Sequence, residues 1–426
     1  MILEVGQVAA GGACVARADD GRVVFVRHAL PGERVRVDVT ATTKHFLRAD
    51  AVEVLVASPA RVARPCPFAG PGRCGGCDWQ HVEPAEQRAL KAALVLEQLS
   101  RLAGVTRSLE VEEVPGGALG WRTRVQWAVA ADGTPGLHRH RSRELELVTD
   151  CLIAAPRVAL PLGSSWKGTR SVEAFAVDGQ VVLAVDGRPA ALPAVDAGLV
   201  VDGRAVRSPH GIRTTVLGRT FEVSAGGFWQ VHHAAPAVLG AAVLDALQPQ
   251  PGERGADLYA GVGLFSSLLG AAVGPSGSVV AVESSPRASA DAARNTSDQL
   301  WVRVRTAEID VALIRSLQGL RPELIVLDPP RAGAGLEVTT ALAGLRPRAL
   351  AYVACDPASF ARDLRVLLDA GWTLESLRAF DIYPMTEHTE LVALLHPPRS
   401  AGVRPSYDGL CCATVVPCCR MVSQAS

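Results

Sequence analysis

From Gly226 to Pro398 the chain alternates short apolar runs, tight turns and helix-periodic runs, and few architectures tolerate that order. "GADLYAGVGLFSSLLG" is strand, glycine turn and helix, and "SVVAVESSPRASADAARN" is strand, acidic end and helix. "PELIVLDPPRAGAG" ends an apolar strand in Asp-Pro-Pro, "ALAYVACDPASFARDLRVLL" repeats the unit, and "LVALLHPP" closes as a strand. Such units build an α/β fold with one doubly wound sheet, whose ligands lie at the carboxyl ends of the strands.

The strand ends carry the chemistry. Gly261 and Gly263 let the backbone turn tightly beside a ligand, and Glu283, ending the next strand, can accept hydrogen bonds from two ribose hydroxyls. "AGVG" lacks the fuller glycine fingerprint of a pyrophosphate cradle, so S-adenosylmethionine suits this turn better than a nicotinamide dinucleotide, with an unliganded structural turn as the third reading. Cys355 precedes a helix that Asp356 can cap and Pro357 can start; Phe360, Leu364, Leu367 and Leu368 continue its apolar face until Gly371 stops it. A helix N-terminus stabilises a thiolate, so Cys355 is either a nucleophile or a small core residue.

Upstream, residues 1–58 alternate β-rich runs such as "RVVFV" and "RVRVDV" with the turns "ADDG" and "LPGE", the pattern of a small barrel. Residues 59–225 hold Cys66, Cys74 and Cys77 in "CPFAGPGRCGGC", a helix-like stretch, further strands, and Cys151. With 426 residues, 48% of them hydrophobic, the chain can bury a core of two or three domains. No segment approaches a membrane span, and no basic leader opens the chain, so a cytoplasmic protein is expected. In that compartment clustered cysteines suggest metal ligation before disulfides, and four thiolates by spacing alone favour zinc over an iron-sulfur cube. The formal net charge of zero does not announce a nucleic-acid binder.

The layout "GGACVARADDGRVVFVRHALPGERVRVDV" resembles the TRAM domain, an OB-like barrel appended to RNA-modifying enzymes. Together "DLYAGVG", "VLDPPRAG", "YVACDP" and "FDIYPMTEHTELVALL" resemble the RNA 5-methyluridine (uracil-C5) methyltransferase family, in its TRAM-containing 23S rRNA-type branch. The resemblance implies a Rossmann-like class I methyltransferase domain over residues 226–398, after a TRAM-like barrel (1–58) and a central iron-sulfur-containing α+β domain (59–225). It makes Cys355 the nucleophile towards carbon 6 of uracil and Glu390 the base that removes the carbon 5 proton. Gln230, Tyr259, Gly261, Glu283 and Asp328 fall to the S-adenosylmethionine site, against the ordinary alternatives of helix start, core filling and helix cap.

The same resemblance gives Cys66, Cys74, Cys77 and Cys151 to a 4Fe-4S cluster, with zinc as the alternative. Asp356, Ala354, His232 and Leu264 depart from the family's usual residues, and a carboxylate at Asp356 opposes thiolate formation at Cys355. The implied partner is RNA, 23S rRNA ahead of tRNA, gripped by the barrel and by Arg139, Arg141 and Arg143; a monomer is expected. A non-catalytic RNA-binding protein is the rival reading, but it has no use for a nucleophile and a base together. Residues 399–426, with Cys411, Cys412, Cys418 and Cys419, read as a disordered extension or a reading-frame artefact.

Overall fold

The computed structural model describes residues 1–398; the tail from 399 onward lies outside the described residues. Ile2–Glu4, Cys14–Arg17, Val23–Arg27, Arg34–Thr42 and Phe46–Val56 form one five-stranded sheet in the order first, fourth, fifth, third, second. Alternation drives it. Val35 and Val37 face in while Arg34 and Arg36 face out, and every strand contributes to one core that includes Leu3, Cys14, Val24, Val26 and Ala49. Cys14 is fully buried in this core, apart from the other cysteines.

The sheet that positions the site has eight strands. Across it run Val302–Thr306, Ser278–Glu283, Arg254–Leu258, Leu324–Leu327 and Ala349–Ala354, all parallel, then Glu390–His396, Thr373–Asp381 and Val111–Glu113. The strand order reverses between Arg254–Leu258 and Leu324–Leu327, the switch point at which such sheets open a crevice. Glu390–His396 runs antiparallel to Ala349–Ala354, with Leu391 opposite Ala354. Its first residue, Glu390, therefore meets the carboxyl ends of the parallel strands rather than their starts. Helices cover both faces: Leu239, Val243, Phe265 and Leu269 sit in one core cluster, and Ile314, Leu342, Phe360 and Leu364 in the other.

The edge strand Val111–Glu113 is borrowed from the segment expected to precede the methyltransferase domain, and it pairs in parallel with Thr373–Asp381. The same segment supplies the helix Pro84–Gln98, started by Pro84 and capped by Glu83, which accepts from the Glu86 N–H. It continues through a π-turn, Leu99–Ala103, and its Val95, Leu99 and Ala103 enter the core of the large sheet. A seven-stranded sheet and a two-stranded hairpin complete residues 124–224. Among the described residues, no helix is long and apolar enough to cross a membrane.

Candidate active site

At the switch point lies a cavity of about 1090 Å³ lined by Gln230, Tyr259, Gly261, Glu283, Asp328, Cys355 and Glu390 together. Tyr259 and Gly261 follow one strand, Glu283, Asp328 and Cys355 end or follow three others, Glu390 opens a fifth and Gln230 lies in a loop, yet all seven, spread over 161 positions, line one cavity. The turn after Arg254–Leu258 is bent by unusual backbone: Tyr259 (φ 65°), Gly261 (φ 56°) and Gly263 (φ 87°) are all left-handed. A Cβ on Gly263 would press Ala292 at 3.2 Å, whereas one on Gly261 would meet nothing within 4 Å. Gly263 serves helix packing; Gly261 keeps a surface open to the cavity. The Glu283 carboxylate is fixed by the N–H groups of Gly261 (2.9 Å) and Ser285 (2.7 Å), which aims it at the same opening.

Cys355 follows Ala349–Ala354 and precedes the helix Pro357–Asp369, whose cap is Asp356, accepting from the Ser359 N–H at 2.7 Å. The expected thiolate stabilisation does not prevail. Burial, then Glu390, Asp328 and Asp356, push the Cys355 thiol up to about 12, with only Arg331 opposing. The helix terminus is outweighed because the thiol is largely buried among carboxylates.

Those carboxylates are themselves displaced. Burial and then Asp257 raise Asp328 to about 7, and burial raises Asp257 to about 7 although Ser266 donates to it. Glu390 is held well above the ordinary range by burial and then by Asp328, with the Tyr383 side chain and Arg331 pulling it back. Such a crowd of buried acids gains from a cation, and S-adenosylmethionine carries a sulfonium. The open face at Gly261, the oriented Glu283 and the acidic floor at Asp328 fit that molecule. Asp328 is no helix cap: the next helix begins at Leu336, after Gly335.

The N-terminal sheet matches the family model of the TRAM domain over residues 2–52. An uncharacterized RNA methyltransferase of Streptomyces avermitilis is 46% identical over 93% of this chain and 98% of the relative. The 23S rRNA (uracil(1939)-C(5))-methyltransferase RlmD of Halomonas elongata is 34% identical over 94% of this chain and 90% of the relative. The chain belongs to the TRAM-containing RNA uracil-C5 methyltransferase family. Its fold is also that of the Pyrococcus abyssi tRNA (uracil-54, C5)-methyltransferase solved with S-adenosyl-L-homocysteine: TM-score 0.72 at 21% identity, over 93% of this chain and all of that one.

In this methyltransferase Cys66, Cys74, Cys77 and Cys151 line a second cavity, of about 310 Å³. Burial raises the thiols of Cys74, Cys77 and Cys151, Cys77 to about 12, and each neighbouring cysteine raises it further. Among the described residues no set of three or more His, Cys, Asp or Glu is arranged to hold a single metal ion. Gly75, Gly76 and Arg122 line both cavities, so the cysteine chamber and the reaction chamber share a wall.

Of the arginines expected to grip RNA, Arg139 is engaged by Glu144 at 3.0 Å and Glu146 at 3.3 Å. Leu264 lines the reaction cavity. His232 is instead buried behind it, its ring stacked on Trp121 (5.7 Å) and His233 (4.7 Å). Sequence reasoning passed over Arg331, Tyr383, Trp121 and Asp257. Arg331 and Tyr383 stood inside the quoted motifs "VLDPPRAG" and "FDIYP" and could have been found there; nothing local marks Trp121.

Proposed function

We propose that this methyltransferase methylates carbon 5 of a uridine in RNA through a covalent bond from Cys355 Sγ to carbon 6 of the base. The observation carrying the reading is that one cavity holds a nucleophile, a buried acid-base group and a nucleoside-shaped cradle: Cys355, Glu390, and Gly261 with Glu283. S-adenosylmethionine, when bound, supplies an electrophilic methyl group. Carbon 5 of uracil is a poor nucleophile until a thiolate adds at carbon 6 and leaves an enolate. Cys355 makes that bond, its proton passing to a neighbouring carboxylate or water. Glu390 then removes the proton from the methylated carbon 5, and the electrons of that C–H bond expel Cys355 Sγ from carbon 6. Asp328, Tyr259 and Gln230, which line the same cavity, are read as part of the cofactor's site.

The four cysteines are read as ligands of a 4Fe-4S cluster. That reading rests on the family resemblance, with zinc as the alternative, and what supports it is that all four thiols line one chamber. Anaerobically purified protein should be brown with about four irons per chain; colourless protein loaded with zinc would reverse the assignment. Residues 1–58, 59–225 and 226–398 are read as barrel, cluster and methyltransferase regions of a cytoplasmic monomer.

The substrate is read as 23S rRNA, because the relative of that activity matches over nearly the whole chain while the tRNA enzyme shares the fold at lower identity. A stacked base cannot reach Cys355, so the uridine must flip out of a loop or an opened helix. The test incubates purified protein with labelled S-adenosylmethionine and unmodified 23S rRNA or tRNA in parallel. Methylation of tRNA alone overturns the substrate, and absence of 5-methyluridine from both overturns the function.

A further inference from the structure

The segment between Asp381 and Glu390 carries Tyr383, Thr386, Glu387 and His388 into the reaction cavity, yet it has no regular structure of its own. A strap of this kind stays in place only if something outside it satisfies its backbone. The helix Pro84–Gln98 does so. Lys91, wholly buried, donates from Nζ to Asp381 Oδ1 at 2.5 Å and to the Tyr383 carbonyl at 3.0 Å. One turn earlier, Gln87 accepts from the Met385 N–H at 2.8 Å and donates to the Val82 carbonyl at 2.9 Å. Trp79 closes the grip by donating its N–H to the Met385 carbonyl at 3.0 Å and its indole N–H to the carbonyl of Gly12, in the N-terminal sheet region, at 3.0 Å. Gly12 leaves the strap no room to spare, since a Cβ there would stand 2.9 Å from Glu387 Cβ. Met385 is held at φ 68°, a conformation a free loop would avoid.

A buried ammonium with one carboxylate is a weak source of stability, because desolvating both charges offsets much of their attraction. Lys91 does more than pair with Asp381, however: its second bond reaches the residue whose ring stands beside Glu390. We propose that Lys91 is a positioning residue for the methyl-transfer site, clamping the 382–389 strap so that Tyr383 and Glu390 face Cys355. This rests on the function proposed above. It also makes the helix of the central region part of the catalytic apparatus.

The experiment compares wild type, Lys91→Met and the double variant Lys91→Met with Asp381→Leu. Removing Lys91 alone strands a buried carboxylate and can unfold the protein, whereas replacing both charges by apolar groups of similar size should restore its melting temperature. The double variant still lacks the bond to the Tyr383 carbonyl. Two readouts follow: the pH profile of Cys355 alkylation, mapped by peptide mass spectrometry, and kcat with KM for RNA methylation. The clamp predicts that the folded double variant alkylates at Cys355 with a midpoint at least one pH unit from wild type, since Glu390 helps set that thiol. It also predicts kcat at least tenfold lower with KM for RNA within threefold. A wild-type alkylation profile and kcat in the double variant would overturn the clamp. A displaced profile in a protein whose wild type methylates no uracil would leave the clamp standing and overturn the function instead.

Discussion

At the scale of single residues the site is an accumulation of groups held away from their ordinary charge states. Glu390→Gln keeps the shape of the base but cannot take the carbon 5 proton, so a covalent RNA adduct should accumulate as a retarded band on a denaturing gel. Cys355→Ala should form no adduct and lower turnover by at least ~10³-fold while binding cofactor; if Glu390→Gln gives no adduct either, Glu390 acts before methylation. Asp328 offers a test through pH. Its folded pKa of about 7 exceeds the ordinary 3.8, so between those values the folded chain binds a proton that the unfolded chain has lost. Stability therefore falls as pH rises through that window and is lowest above it. Asp328→Asn should raise the melting temperature of the cofactor-free protein at pH 8, by about 1 °C per kcal/mol regained, with little change near pH 4. Wild-type affinity for the sulfonium cofactor should rise as pH passes 7, with proton release seen by calorimetry in buffers of different ionisation enthalpy; the asparagine variant should lose most of that dependence.

At the scale of elements, the glycine turn separates folding from binding. Gly261→Ala forces a side chain into left-handed backbone, at a cost of about 1 kcal/mol, yet its Cβ touches no protein atom within 4 Å. Cofactor affinity should drop at least tenfold while the melting temperature moves only slightly; a large thermal loss with unchanged affinity would make the turn structural. This turn, Glu283 and the Cys355 helix start were legible in the sequence because each is a local signal: glycine freedom, an acid ending a strand, a capped proline. The charge state of Cys355 was not, because it is set by burial in the folded chain and then by Glu390 and Asp328, which lie 35 positions after and 27 before it. Nor was the edge strand Val111–Glu113, three residues long and paired with a strand more than 260 positions away, whose membership depends on long-range pairing and not on its own pattern. Lys91 was hidden for a related reason. A lysine in "PAEQRALKAALVLEQLSRLAG" looks like one more solvated helix charge until the fold buries it against Asp381.

At the scale of the molecule, a formally neutral chain must still hold a polyanion, and the structure offers a local answer. Arg48 of the N-terminal sheet lies over the rings of Phe25 (5.7 Å) and Phe46 (5.4 Å), a stacked arrangement suited to nucleic acid. Its pKa is lowered by burial and then by Arg141, a guanidinium from the central region, and among the described residues no carboxylate offsets that repulsion. Two like charges from different regions, one beside aromatic faces, are stabilised when a phosphate comes between them. Replacing both Arg48 and Arg141 by alanine should leave cofactor binding unchanged, weaken RNA binding, and reduce the slope of log affinity against log salt by about 1.4–1.8, the counterion release of two phosphate contacts. Arg139→Ala should alter that slope little, because Glu144 and Glu146 already neutralise it. The measurement is a salt titration of RNA binding by filter retention with unmodified 23S rRNA fragments. An unchanged slope in the double variant would move the RNA path away from this seam, and an equal loss from Arg139→Ala would mean that its ion pairs open when RNA arrives.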